Sequence, residues 1–140
     1  MSPLRHLPRR ALVMFSGRTD LWWLRALKPG FRHCFVALAE GEDSWVVVEP
    51  LSHRTLVECV ALPPGFDLAA WYRAHGLRVV ETTAAEPPRR TAPWRPYSCV
   101  ESVKRVLGIH AGAVLTPWQL FRHLEQNRKI VVDAADPARV

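Results

Sequence analysis

The sequence predicts an α+β fold with a mainly antiparallel β-sheet. Several apolar, strand-like segments follow one another across short turns, a pattern that favours antiparallel neighbours. The C-terminal part carries two segments with strong helix start signals. The chain has 140 residues, 49% of them hydrophobic, and this is enough to build the core of a single domain over residues 1–140.

The N-terminal part contains most of the predicted sheet. A turn at Pro29 and Gly30 precedes the second strand, and a turn near Gly41 joins it to the third, which predicts a hairpin. Asp20 is expected to cap a short helix over residues 20–27, and Asp67 another that runs to about His75. Strands are predicted over residues 11–15, 31–39, 44–49, 55–62 and 77–83.

A proline-rich segment over residues 84–97 separates this part from the first C-terminal helix. Proline fixes φ and removes a hydrogen-bond donor, so the segment is expected to be an extended connector. Ser98 and Glu101 have the spacing of a capping box, with serine at the N-cap and glutamate at N3. Gly108 supplies the expected end of this helix.

The second C-terminal helix begins with an equally clear signal. Thr116 and Gln119 form another capping box, and Pro117 stands at the favoured first helical position. This helix is expected to run to about Leu124. Residues 130–132 are rich in β-branched side chains and predict a short closing strand.

The charge is concentrated at one end of the chain. Residues 1–32 hold seven basic side chains and one acidic one, which accounts for the whole net charge of +6. A solvated basic N-terminal region is the simplest interpretation; contact with nucleic acid, an anionic lipid surface or an acidic partner is the alternative. No nucleic-acid-binding motif accompanies the charge, so nucleic acid is not an expected partner.

The expected compartment is the cytoplasm. No apolar run approaches the ~20 residues of a transmembrane helix, and the N-terminus lacks the apolar stretch of a signal peptide. Three cysteines are an odd number and form no CxxC pair, which favours free thiols in a reducing compartment over disulfides or a structural metal site.

Cys99 is the most informative of these cysteines, because it falls at the first position of a predicted helix. Unpaired amides and the positive end of the helix dipole favour a thiolate there, and the thiolate is the nucleophilic form. The backbone N–H of Cys99 would also point toward a developing oxyanion. A buried cysteine that only packs is the equally weighted alternative.

A nucleophilic cysteine needs a base, and His33 is the best candidate because a strand holds it rigidly. Glu49, at the end of the next strand, is the candidate for orienting the imidazole, and His53 is the alternative for either role. His33 and Glu49 share a face of the sheet only if the connecting turn has an odd number of residues or contains a bulge. A solvated Glu49 with no such role is the competing interpretation.

The two other cysteines are expected to pack in the core. Cys34 beside His33 suggests a metal or redox pair, but adjacent strand residues face opposite sides of a sheet, which favours packing. Cys59 lies in an apolar segment and receives the same interpretation. Trp94, in the proline-rich segment, is a candidate for lining a groove or docking a partner.

The order of these residues resembles a known family. A histidine early in a hairpin, an acidic residue ending the next strand and a late cysteine opening a helix are similar to the circularly permuted NlpC/P60 branch of papain-like thiol enzymes. The resemblance covers roughly residues 30–125 and extends to small uncharacterised proteins of bacterial phages and prophages. It is carried by the segments GFRHCFVAL, PYSCVESVKRVLGI and LTPWQLFRHL.

The resemblance implies a permuted papain-like fold, with the cysteine helix against a five- or six-stranded antiparallel sheet. It also implies hydrolysis or transfer at an amide or ester bond, with Cys99 as nucleophile, His33 as base and then acid, and Glu49 or His53 as orienter. No metal or cofactor is expected. Cell-wall peptides are the substrate class it suggests, with Ser98, Trp94 and His53 as candidate substrate-binding residues. A phage-derived structural or adaptor protein that keeps the fold without turnover is the alternative, and a nucleic-acid-binding domain ranks third.

Overall fold

The computed structural model describes residues 8–18, 26–85 and 98–135, with side chains as far as residue 128. These residues form a five-stranded antiparallel sheet with strand order β4-β3-β2-β1-β5, together with three helices. The predicted α+β class and antiparallel sheet are confirmed. The strands are β1 (Arg9–Ser16), β2 (His33–Ala39), β3 (Ser44–Pro50), β4 (Thr55–Ala61) and β5 (Arg78–Ala84), and the helices are α1 (Leu68–Ala74), α2 (Cys99–Leu107) and α3 (Pro117–Ala135).

Helices cover both faces of the sheet, so the central strands are buried on both sides. One face packs against α2 and α3, and its side chains include Val13, Phe15, Cys34 and Val36. The other face packs against α1, and its side chains include Leu12, Met14, Phe35 and Ala37. Successive strand residues point to opposite faces, which explains why β1 and β2 are nearly continuous apolar runs.

Each helix begins where its capping residues predict. The Oδ1 atom of Asp67 accepts a hydrogen bond of 2.9 Å from the Ala70 amide at the start of α1. The Thr116 side chain accepts from the Gln119 amide, and the Gln119 side chain accepts in return from the Thr116 amide, which completes a capping box for α3. These contacts satisfy amides that have no acceptor within their own helix.

The middle of α2 contains a buried ion pair. Lys104, only 2% exposed, places its Nζ 3.0 Å from the Glu101 carboxylate and donates hydrogen bonds of 2.9 Å to the carbonyls of Ala111 and Val114. All three donors of the ammonium group therefore have partners. The hydrogen bonds from Lys104 to these two carbonyls hold the segment between α2 and α3 against α2.

Two predictions from local sequence were wrong. Residues 130–132 continue α3 and do not form a strand, because extending an existing helix costs little whereas an isolated strand has no hydrogen-bonding partner. Cys59 is exposed and not packed in the core, because β4 is an edge strand whose residues are largely uncovered by the helices.

Some predictions concern other parts of the chain. Most of the helix expected over residues 20–27, most of the connector over residues 84–97, and Trp94 lie outside the described residues. Within the described ranges, no helix is both long enough and apolar enough to cross a membrane.

Candidate active site

Cys99 is the first residue of α2 and lies where this helix packs against β2. The Ser98 side chain caps the helix by accepting a hydrogen bond of 3.2 Å from the Glu101 amide. As the first helical residue, Cys99 has no acceptor for its N–H within the helix. The sulfur therefore lies at the electropositive end of α2, beside an amide that can donate to a bound group.

His33 and Glu49 lie together on the sheet beside this helix end. Five residues, an odd number, lie between the paired Ala39 and Trp45, so His33 and Glu49 share a face. Their side chains approach to 3.3 Å between Nε2 and Oε1. The N–H is not aligned for a hydrogen bond, and Nε2 has no other hydrogen-bond partner among the described residues. The contact is thus chiefly an electrostatic one.

His33 reaches Cys99 although alternation along β2 assigns it to the face of α1. Its ring stacks at 6.3 Å from that of Phe35, which is buried on that face. His33 is, however, the first residue of β2, and its pairing with Ser16 is the last between β1 and β2. At the end of the sheet the imidazole can contact the sulfur of Cys99 around the strand, and the two groups interact directly.

Cys34 approaches the same sulfur from the face covered by α2. It is fully buried in the apolar cluster against which Cys99 packs. Both its thiol and its backbone amide form hydrogen bonds with Cys99. The core position of Cys34 was predicted correctly from the sequence, but its contact with Cys99 was not. Alternation along a strand indicates the face on which a residue lies and not the helix residue that packs above it.

These contacts favour a charged pair at the site. The hydrogen bond from Cys34 and the nearby His33 outweigh the effect of burial and lower the pKa of Cys99 to about 5. Burial acts to lower the pKa of His33, but the Cys99 thiolate and the Glu49 carboxylate outweigh it, so the pKa of His33 is raised. Hydrogen bonding to Cys99, with burial, raises the pKa of Cys34 well above its usual range.

The pair has a defined pH range. Cys99 loses its proton near pH 5, and His33 keeps its proton to above its usual pKa of 6.5. A thiolate beside an imidazolium is therefore the main form from about pH 5 to beyond pH 6.5. This is the protonation state in which a cysteine can attack and a histidine can protonate a leaving group.

The two other predicted site residues within the described part of the chain are exposed. Ser98 is exposed directly before Cys99, and His53 is exposed in the turn between β3 and β4.

Tyr72 of α1 was not among the predicted residues; its ring packs at 5.6 Å from that of Phe35. Burial, with the charges of Glu49 and Glu58, raises the pKa of Tyr72. The pattern of apolar and polar residues in α1 does not indicate which of them lies near Glu49, so no sequence signal pointed to Tyr72.

Comparisons with known proteins do not show a family for the chain. No family model matches it, and no solved structure matches it. The L-aspartate oxidase of Pyrococcus horikoshii is 33% identical over an alignment of 88 residues, which covers 59% of this chain and 16% of the oxidase. The chain thus spans 16% of the length of this curated relative.

Proposed function

We propose that this protein is a thiol hydrolase that cleaves an amide or ester bond through a Cys99 acyl-enzyme. The single observation that carries the proposal is the meeting of three groups at the start of α2: the Cys99 sulfur, the His33 imidazole and the Glu49 carboxylate. Nucleophile, base and orienter in contact are what acyl transfer requires.

In the first half of the reaction, the Cys99 thiolate attacks the substrate carbonyl. A carbon–sulfur bond forms, and the negative charge moves to the carbonyl oxygen, where the Cys99 N–H donates to it. Because Nε2 of His33 faces Glu49, Nδ1 is the nitrogen left to face the sulfur and the leaving group. The imidazolium gives its proton to the departing amine or alcohol as the bond to the carbonyl carbon breaks.

In the second half, water hydrolyses the thioester. Neutral His33 takes a proton from the water, whose oxygen attacks the acyl carbon. The carbon–sulfur bond then breaks, the carboxylic acid product leaves, and the thiolate and imidazolium are restored. Glu49 stabilises the imidazolium at each stage through its contact with Nε2.

The fold proposed for this activity is the circularly permuted papain-like one. Three features support it: the antiparallel sheet, a cysteine at the start of a helix packed on that sheet, and a histidine that precedes the cysteine in the chain. Peptides, including those of bacterial cell walls, are the substrate class that the resemblance to NlpC/P60 enzymes suggests. Ser98, exposed beside Cys99, is proposed to contact the substrate backbone.

A non-catalytic adaptor that keeps this fold is the second candidate function. The observation that favours it is the contact between His33 and Glu49, where Nε2 lacks an aligned hydrogen bond. An imidazole without a fixed orientation is a poorer general base.

Acylation by p-nitrophenyl acetate at pH 6.5 tests the proposal. In a Cys59→Ser background, which removes the exposed cysteine, we expect a burst of nitrophenol and an acetyl group on Cys99, found by peptide mass spectrometry. Cys99→Ala should abolish the burst, and His33→Ala should slow acylation and turnover. Acetylation of Cys99 that His33→Ala leaves unchanged, with no turnover, would establish the adaptor interpretation.

A further inference from the structure

We propose that Cys34 is a positioning residue for the nucleophile, whose thiol and backbone amide donate hydrogen bonds that hold the Cys99 sulfur as a thiolate. The inference rests on the proposed function, because it gives Cys34 a part in preparing Cys99 for attack. It assigns a role to a side chain that the Cys99, His33 and Glu49 scheme leaves unused.

The placement of Cys34 fits a donor. It is 0% exposed in β2, between Phe15 of β1 and the apolar face of α2, so its thiol has no access to water. Its hydrogen-bond partner is the Cys99 sulfur, and its own amide also donates to that sulfur. A neutral thiol beside an anion lowers the energy of the anion, whereas two thiolates in this space would repel each other.

The need for such a donor follows from burial. Cys99 is partly buried, and burial favours the neutral thiol over the thiolate. His33 supplies a positive charge from one side of the sulfur, at the end of the sheet. Cys34 supplies hydrogen bonds from the other side, under α2. The sulfur therefore has a donor on each side of the strand.

The other ionisable groups around Cys99 do not take over this task. From β3, Glu49 faces His33 and adds negative charge behind the imidazole. On α2 itself, the Glu101 carboxylate is neutralised by Lys104 and Arg105. Among the described residues, the groups that act on the protonation of Cys99 are Cys34 and His33, both from β2.

The test is the pH dependence of Cys99 alkylation by iodoacetamide, measured under reducing conditions in the Cys59→Ser background. We expect a midpoint near pH 5 with Cys34 present. Cys34→Ala and Cys34→Val remove the thiol donor and should raise the midpoint by about one pH unit, since a hydrogen bond to a charged group is worth that much. Cys34→Ser keeps a donor and should leave the midpoint low.

The set of variants separates a donor from a packing residue. Alanine and valine differ in how well they fill the site but both lack a donor, so a shared upward shift, with serine unshifted, supports the proposal. If serine shifts as alanine does, or if none of the variants shifts, Cys34 does not position the thiolate. Thermal unfolding of each variant checks that it is folded, and alanine remains as the donor-free variant if valine does not fold.

The outcome is independent of turnover. A low midpoint for Cys99 that does not depend on Cys34, together with acylation, would overturn this inference and leave the hydrolase intact. If the midpoint is low and depends on Cys34, but p-nitrophenyl acetate does not acylate the protein, the hydrolase proposal is overturned and the role of Cys34 in stabilising the thiolate stands. An ordinary midpoint in the parent protein would count against both.

Discussion

Two polar clusters on helix α2 differ in how completely their groups are paired. In the middle of the helix, the Lys104 ammonium has a partner for each of its three donors, two of them backbone carbonyls. At the start of the helix, the Cys99 sulfur has several donors, but Nε2 of His33 lies 3.3 Å from Glu49 without an aligned hydrogen bond.

The difference separates a stabilising cluster from a reactive one. Buried charges with every hydrogen bond satisfied hold a structure in one arrangement. Groups that must exchange a proton or bind a substrate keep some capacity unused, and strongly shifted pKa values mark such positions. We therefore expect changes at Lys104 to alter stability first, and changes at His33 to alter reactivity first.

The largest expected effect is that of His33→Ala on acyl transfer. Removing a general acid–base group costs about 10²- to 10⁴-fold in rate. Hydrolysis of p-nitrophenyl acetate, followed at pH 6.5, should fall by about 10³-fold. The free energy of unfolding in urea should change less than in Lys104→Met. If His33→Ala lowers the free energy of unfolding by as much as it raises the activation free energy of hydrolysis, His33 is a structural residue.

Lys104→Met should give the largest loss of stability. It leaves the Glu101 carboxylate and two carbonyls without their buried donor, and breaking such a pair costs about 3–5 kcal/mol. Urea unfolding measures the loss. Arg105→Met is the matched control, since Arg105 contacts the same carboxylate from an exposed position and should cost at most about 1 kcal/mol. Equal losses for the two variants would contradict the role given to Lys104.

Glu49→Gln should have a smaller effect than either of these variants. It should narrow the pH range over which p-nitrophenyl acetate is hydrolysed. The acid limb reports Cys99 near pH 5, and the basic limb reports His33 above pH 6.5. Glu49 helps to raise the pKa of His33, so its neutralisation should move the basic limb to lower pH and leave the acid limb nearly unchanged. A basic limb that does not move would show that Glu49 is not coupled to the imidazole.

The smallest expected effect is that of Ser98→Ala on α2. The Ser98 side chain caps the helix through the Glu101 amide, and loss of such a cap costs about 1 kcal/mol. Thr116→Ala removes the corresponding cap of α3 and should cost a similar amount in urea unfolding. An additional fall in Cys99 alkylation rate in Ser98→Ala alone would show that the cap also supports the reactive end of the helix.

Local sequence predicted most of the fold because the deciding interactions are local. Short apolar segments bounded by turns located the five strands, and capping residues located the three described helices. The errors arose where neighbours decide: Cys59 resembles a core residue but lies on the edge strand β4.

The candidate site was predictable in part for the same reason. The helix position of Cys99 is a local property and was predicted. The shared face of His33 and Glu49 depends on the parity of the hairpin loop, which the sequence left open and the pairing of Ala39 with Trp45 decides. The contact of Cys34 with Cys99 depends on how far along β2 the start of α2 lies. Packing between a helix and a sheet sets that distance, and no short sequence pattern encodes it.

His33 and Cys34 are consecutive residues, so one peptide unit of the central strand β2 carries both groups that flank the Cys99 sulfur. Sliding this strand against α2 would withdraw the imidazole and the thiol in the same motion. A shift of the backbone therefore removes both contacts of the Cys99 sulfur together. Loss of only one of them requires rotation of the His33 or Cys34 side chain.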